Sequence, residues 1–221
     1  MAPFTTILGT AACISLPCIL DAANVSVTAY AAALKSAHLL VVATWFGTTV
    51  WTSFVAGLVM FKALPRHTFG RLQSKLFPRY FFLSAVCLAL AVSTAILAAL
   101  PHAMTISDVA PKISASLSGG AGDAPVALLA ALVCVLINAV VLEPVATSVM
   151  FQRQAVENSL NRAVGQELPK TMRPTDPKLV QDPKWKKLSR VFGILHGFST
   201  LINMGALAMG AWYIHDLSAA L

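Results

Sequence analysis

Residues 64–82 read Leu-Pro-Arg-His-Thr-Phe-Gly-Arg-Leu-Gln-Ser-Lys-Leu-Phe-Pro-Arg-Tyr-Phe-Phe. The stretch lies between two long apolar runs and carries Arg66, His67, Arg71, Lys75 and Arg79. Pro65 cannot continue a helix arriving from the N-terminal side, because it has no amide hydrogen to donate. Pro78 suits the first turn of a helix leaving toward the C-terminus, where that hydrogen is not needed. Between the prolines, Phe69, Leu72, Leu76 and Phe77 recur at helical spacing, with Arg71, Gln73, Ser74 and Lys75 opposite. This pattern predicts a short amphipathic helix lying on a membrane surface and joining two membrane-crossing helices.

The flanking sequence supports that reading. The chain has 221 residues, 57% hydrophobic and 11% charged, against about 25% charged in an ordinary soluble domain. Apolar runs predict membrane helices near 36–61, 81–100, 125–151 and 191–214. The expected fold is all-α, a polytopic four-helix bundle with an interfacial loop helix. Residues 101–124, rich in Pro, Ser, Gly and Asp, read as a loop. After Phe151, Val156, Leu160, Val164 and Leu168 keep a helical stripe, so the third helix is expected to extend beyond the bilayer. Asp182-Pro183 is a cap and first-turn signal for the fourth. Residues 1–34 read as an added peripheral or partly inserted helix, since a basic signal-peptide start is missing.

Charge orients the bundle. Segment 62–79 holds five Lys/Arg and segment 152–190 holds nine; Lys35 and Lys112 are the remaining two. The positive-inside rule places both basic segments on one side. Arg66, His67, Arg71, Lys75 and Arg79 are then candidates to hold an anionic surface: phospholipid headgroups or acidic residues of a partner in a larger membrane complex.

Polar residues inside apolar helices are functional candidates because burying them is costly. The third helix offers Asn138, Glu143 and Thr147. The fourth offers His196, Ser199, Thr200 and Asn203, which predict one polar stripe facing the interior. At about 1.5 Å per residue, Glu143 lies roughly 12 Å and His196 roughly 9 Å from the basic end. The two are expected to hydrogen-bond, and Pro144 to kink the helix beside them. Asn138, Glu143, His196, Ser199 and Asn203 thus form the expected buried polar cluster. Gly193-xxx-Gly197 and Thr49-xxx-Ser53-xxx-Gly57 are close-packing faces.

No Gly-rich phosphate loop, nucleophile elbow, HExxH or CxxC pair occurs, so neither enzyme chemistry nor a cofactor or metal is expected. His38, His102 and His215 read as interface histidines. Cys13, Cys18, Cys87 and Cys134 read as small apolar-environment residues. The basic segments lack nucleic-acid recognition patterns. The expected function is a non-enzymatic lipid-contacting scaffold or accessory subunit. The alternative is a small transporter or proton-coupled carrier using Glu143, His196 and Asn203.

The opening stretch also carries a resemblance. Residues 64–70 followed by Gln-Ser-Lys-Leu-Phe-Pro (73–78) resemble the signature of the transmembrane protein 205-like family. Three further pieces agree: His38-Leu39-Leu40 with Trp45, Trp51, Phe54 and Gly57; Asn138 with Leu142-Glu143-Pro144; and Asp182-Pro183-Lys184 with His196-Gly197, Ser199 and Asn203. The resemblance spans roughly Lys35 to Gly210 and implies four membrane helices without an agreed biochemical activity. It also implies a link to drug tolerance in some members. A protein of this kind fits an endoplasmic-reticulum, mitochondrial or plastid membrane alike.

Overall fold

The computed structural model describes residues 27–99, 123–160 and 177–219, and every element among them is helical. Four helices are long and apolar enough to cross a membrane: Ala29–Ala63, Arg66–Ala98, Val126–Ser159 and Pro183–Ser218. At about 1.5 Å per residue each is about 50 Å long, well beyond a hydrocarbon core of about 30 Å. Apolar runs therefore underestimate these helices. The backbone continues its hydrogen bonds into polar surroundings, where Lys and Arg reach water on flexible stems.

The first two helices are joined by Leu64 and Pro65 alone. Leu64 is extended (φ −104°, ψ 146°), as the clash with a following proline ring demands. The Leu64 amide still donates to the Met60 carbonyl at 3.0 Å, and Phe69 N donates to Pro65 O at 2.8 Å. The second helix then runs Arg66–Ala99 with Pro78 inside it. This corrects the expectation of a separate interfacial helix starting anew at Pro78. Pro78 removes the amide that would bond Ser74, yet both halves are held in line by packing. On one side Gly70 lies against Met150 and Gln154 of the third helix, and Gln73 is buried. On the other, Tyr80 and Phe81 enter the core.

The helices pack as antiparallel neighbours. The first and second meet through Phe61 and Phe69, whose rings stand 6.0 Å apart edge-on. Leu88, Ala91, Leu128, Ala131 and Val135 bury the second–third seam, with alanines letting backbones approach. The first and fourth meet at Gly210, where a Cβ would lie 2.6 Å from Trp45 Cη2. Trp45 is 1% exposed, so only glycine fits there. Outward, Leu40, Trp51, Phe54, Leu58, Val59, Val140, Phe198 and Leu201 present an apolar surface.

Two helices contain a widened π turn. In the third, Asn138–Leu142 is π-helical, and Glu143 N donates to Asn138 O. Pro144 follows at once. Its ring and missing amide prevent a regular turn, and the wider one absorbs the defect. In the first helix, Trp51–Ala56 is π-helical and Gly57 N donates to Thr52 O.

The first helix begins at Val27, so residues 27–34 of the predicted N-terminal extension are continuous with the first crossing. The rest of that extension, Cys13, Cys18, His102, nearly all of loop 101–124, and Val164 and Leu168 of the expected third-helix stripe lie outside the described residues. Cys87 and Cys134 are free thiols in or beside the core. Asp182 caps the fourth helix: its Oδ1 accepts from Trp185 N at 2.6 Å.

Candidate functional site: a buried carboxylate at the basic end and a polar node at mid-depth

The start of the second helix, the end of the third and the start of the fourth converge on Glu157, which is fully buried. Glu157 Oε1 accepts from Arg66 Nη2 at 2.5 Å and from Trp185 Nε1 at 2.8 Å. Oε2 lies 2.7 Å from His67 Nε2. Arg153, one turn before Glu157, approaches Oε1 at 3.7 Å, and its guanidinium lies over the Phe192 ring at 4.6 Å. A buried carboxylate is tolerated only when its oxygens are satisfied, and here the second and fourth helices supply the donors to a carboxylate of the third.

This arrangement divides the five predicted contact residues. Arg66 is 6% exposed, and both it and His67 are committed to Glu157. Arg71, Lys75 and Arg79 remain exposed on the second helix. Their spacing of four places them on one ridge, and Arg79 Nη1 donates to the Lys75 carbonyl at 2.6 Å. Lys184, Lys186, Lys187 and Arg190 of the fourth helix are also exposed. The described parts of both basic segments thus meet at one end of the bundle.

A second cluster lies deeper. Tyr80 OH donates to Asn203 Oδ1 at 2.9 Å and lies 3.3 Å from Thr49 Oγ1. Asn203 Nδ2 donates to Ser53 Oγ at 3.0 Å. Asn138, fully buried, donates from Nδ2 to the Ser199 carbonyl at 3.3 Å. All four helices contribute, and Ser53 and Asn138 each sit in a π turn.

The predicted cluster is divided here as well. Asn138, Ser199 and Asn203 face inward. Glu143 accepts from Thr147 Oγ1 of its own helix at 2.8 Å. His196 is exposed and stacks on Phe192 with ring centroids 5.9 Å apart. No hydrogen bond joins Glu143 to His196, contrary to the sequence expectation. Trp185, Leu188, Phe192, Leu195, Ser199, Ala206 and Tyr213 turn inward at steps of three, four or seven. His196 and Thr200 fall one position past that seam. Gly193 and Gly197 also face away: a methyl group added at either would meet nothing within 4 Å, so this small-residue face packs against no other described helix. The Thr49–Ser53 face does pack, through Tyr80 and Asn203. At the opposite end, buried His38 bonds Thr94 Oγ1 at 2.8 Å through Nδ1 and Tyr213 OH through Nε2.

Sequence reasoning passed over Glu157, Arg153, Trp185 and Tyr80. The available signal was the Arg153/Glu157 pair at i, i+4 in an otherwise basic segment.

The domain of unknown function DUF4149 matches residues 40–155, which is over half the chain and includes Ser53, Tyr80, Asn138 and Arg153. A curated relative, "Transmembrane protein 205" of Danio rerio, is 36% identical over 176 residues, covering 77% of this chain and 84% of the relative. The chain belongs to the transmembrane protein 205-like family. No solved structure matches it. Membership accords with the four membrane helices and brings no established activity. Within this family member, Glu157 and Trp185 lie C-terminal to the matched domain, so the cluster of side chains knotted around Glu157 joins the domain's helices to the segment that follows.

Proposed function

We propose that this protein is a non-enzymatic membrane module whose basic end holds anionic phospholipid headgroups, serving as a lipid-contacting scaffold or accessory subunit within a larger membrane assembly. One observation carries the reading: Arg71, Lys75 and Arg79 stand exposed on a single ridge while Arg66 and His67 are withdrawn into the bundle. Three outward charges across two helical turns track about 12 Å of depth, which suits a headgroup layer. Each contributes on the order of 1 kcal/mol toward an anionic surface, weakened by salt.

The alternative carrier reading has less support. It needs Glu143, His196 and Asn203 to act together, and only Asn203 lies in the shared node.

The test uses the full chain in nanodiscs of phosphatidylcholine with a minor fraction of spin-labelled phosphatidylglycerol. The intact protein enriches the anionic lipid at its surface, and added salt reduces the enrichment. R71Q/K75Q/R79Q abolishes most of it. Equal enrichment around the triple variant would leave the ridge with an orienting role only.

A further inference from the structure

The knot around Glu157 does not balance. Arg66 and Arg153 bring two formal positive charges to one carboxylate. Both carboxylate oxygens are already taken, by Arg66 and Trp185 on one and His67 on the other. Arg153 Nε therefore stays 3.7 Å from Oε1, an ion pair without a hydrogen bond. Its Nε is buried without a hydrogen-bond partner. Its guanidinium lies over the Phe192 ring, and 14% of the side chain remains exposed to a ligand. A largely buried guanidinium whose Nε–H meets no acceptor is costly, and a planar fork of N–H donors suits a phosphate well.

We propose that Arg153, backed by Arg66, is a binding site for a phosphate group entering at the basic end of the bundle. The inference deepens the lipid-contact reading but names a different site, a discrete one between helices rather than the exposed ridge. The phosphate belongs either to a phospholipid headgroup or to a water-soluble phosphate. Trp185 reports on it, because its indole bonds the same carboxylate and lies 6.0 Å from the Arg66 guanidinium.

The experiment uses the full-length protein in maltoside micelles, which contain no phosphate. Intrinsic fluorescence is followed while dioctanoyl phosphatidic acid, inorganic phosphate or phosphate-free dioctanoylglycerol is added. The expected result is a saturable change with phosphatidic acid, none with dioctanoylglycerol, and none in W185F. A matching response to inorganic phosphate assigns the site to soluble phosphates; its absence assigns it to lipids. R153Q, which removes no hydrogen bond seen in the fold but does remove the ion pair to Glu157 and the contact with the Phe192 ring, stays folded, as unchanged helical circular dichroism checks, and weakens phosphatidic acid by about tenfold or more, the worth of one charge-assisted hydrogen bond. R71Q/K75Q/R79Q keeps the fluorescence response even where nanodisc lipid enrichment is lost, so the two proposals fail separately. A response unchanged in R153Q, equal with dioctanoylglycerol, or absent from the intact protein overturns the site.

Discussion

Glu157→Gln tests the knot that gathers three helices. The substitution keeps shape and one carbonyl acceptor but removes the charge facing Arg66 and Arg153. Arg66 has a side chain 5% exposed and Glu157 one that is 0% exposed, so solvent screens neither. Removing one partner of such a pair costs about 3–5 kcal/mol, because the survivor stays buried and uncompensated. Gln retains one acceptor, which favours the lower end, about 3 kcal/mol. For a chain of this size, 1 kcal/mol corresponds to about 2–4 °C, so the melting temperature should fall by about 6–12 °C. The assay is thermal unfolding of the purified protein in detergent, followed by intrinsic fluorescence. R66L/E157L, which removes both charges, should melt above either single variant. If E157Q melted within about 1 °C of wild type, or the double variant fell by the sum of the singles, the buried-charge account would be wrong.

Two further outcomes follow from packing. Gly210→Ala forces a methyl group into Trp45 and should cost about 1–3 kcal/mol, whereas Gly193→Ala and Gly197→Ala, whose methyls meet nothing, should not lower the melting temperature. In the mid-depth node, Y80F and N203L should each cost about 0.5–1.5 kcal/mol. Because Tyr80 and Asn203 share a hydrogen bond, the double variant should cost less than the sum, and strict additivity in unfolding measurements would argue against their coupling.

Much of the architecture could be read from residue order. Hydrophobic runs locate the four crossings, Pro65 locates the break, and Asp182 announces its helix by side-chain chemistry that acts within one turn. Pro78 misled because its effect is decided elsewhere. A proline opens a helix or bends one according to whether the preceding turn is held, and here Met150 and Gln154 hold it from a different helix. The polar cluster failed for a related reason. Periodicity gives a stripe but not its angle to the neighbouring helices, and one residue of rotation is enough to turn His196 outward while Ser199 stays in. Glu157 was hidden by its surroundings, since an acidic residue in a polar segment looks solvated until another helix covers it.

The two-residue junction at Leu64 and Pro65 has a consequence for biosynthesis. A connection this short leaves no slack, so the first two crossings must enter the bilayer as a hairpin, with Arg66 already at the water-facing bend. Glu157 is made ninety-one residues after Arg66, and Trp185 later still. Until the third helix is complete, Arg66 must remain hydrated at the membrane edge, and the hairpin's basic end stays loose. Closure of the bundle at that end is therefore a late event in synthesis. A chain truncated before Glu157 would retain its first crossings but not the fastening that brings their ends together.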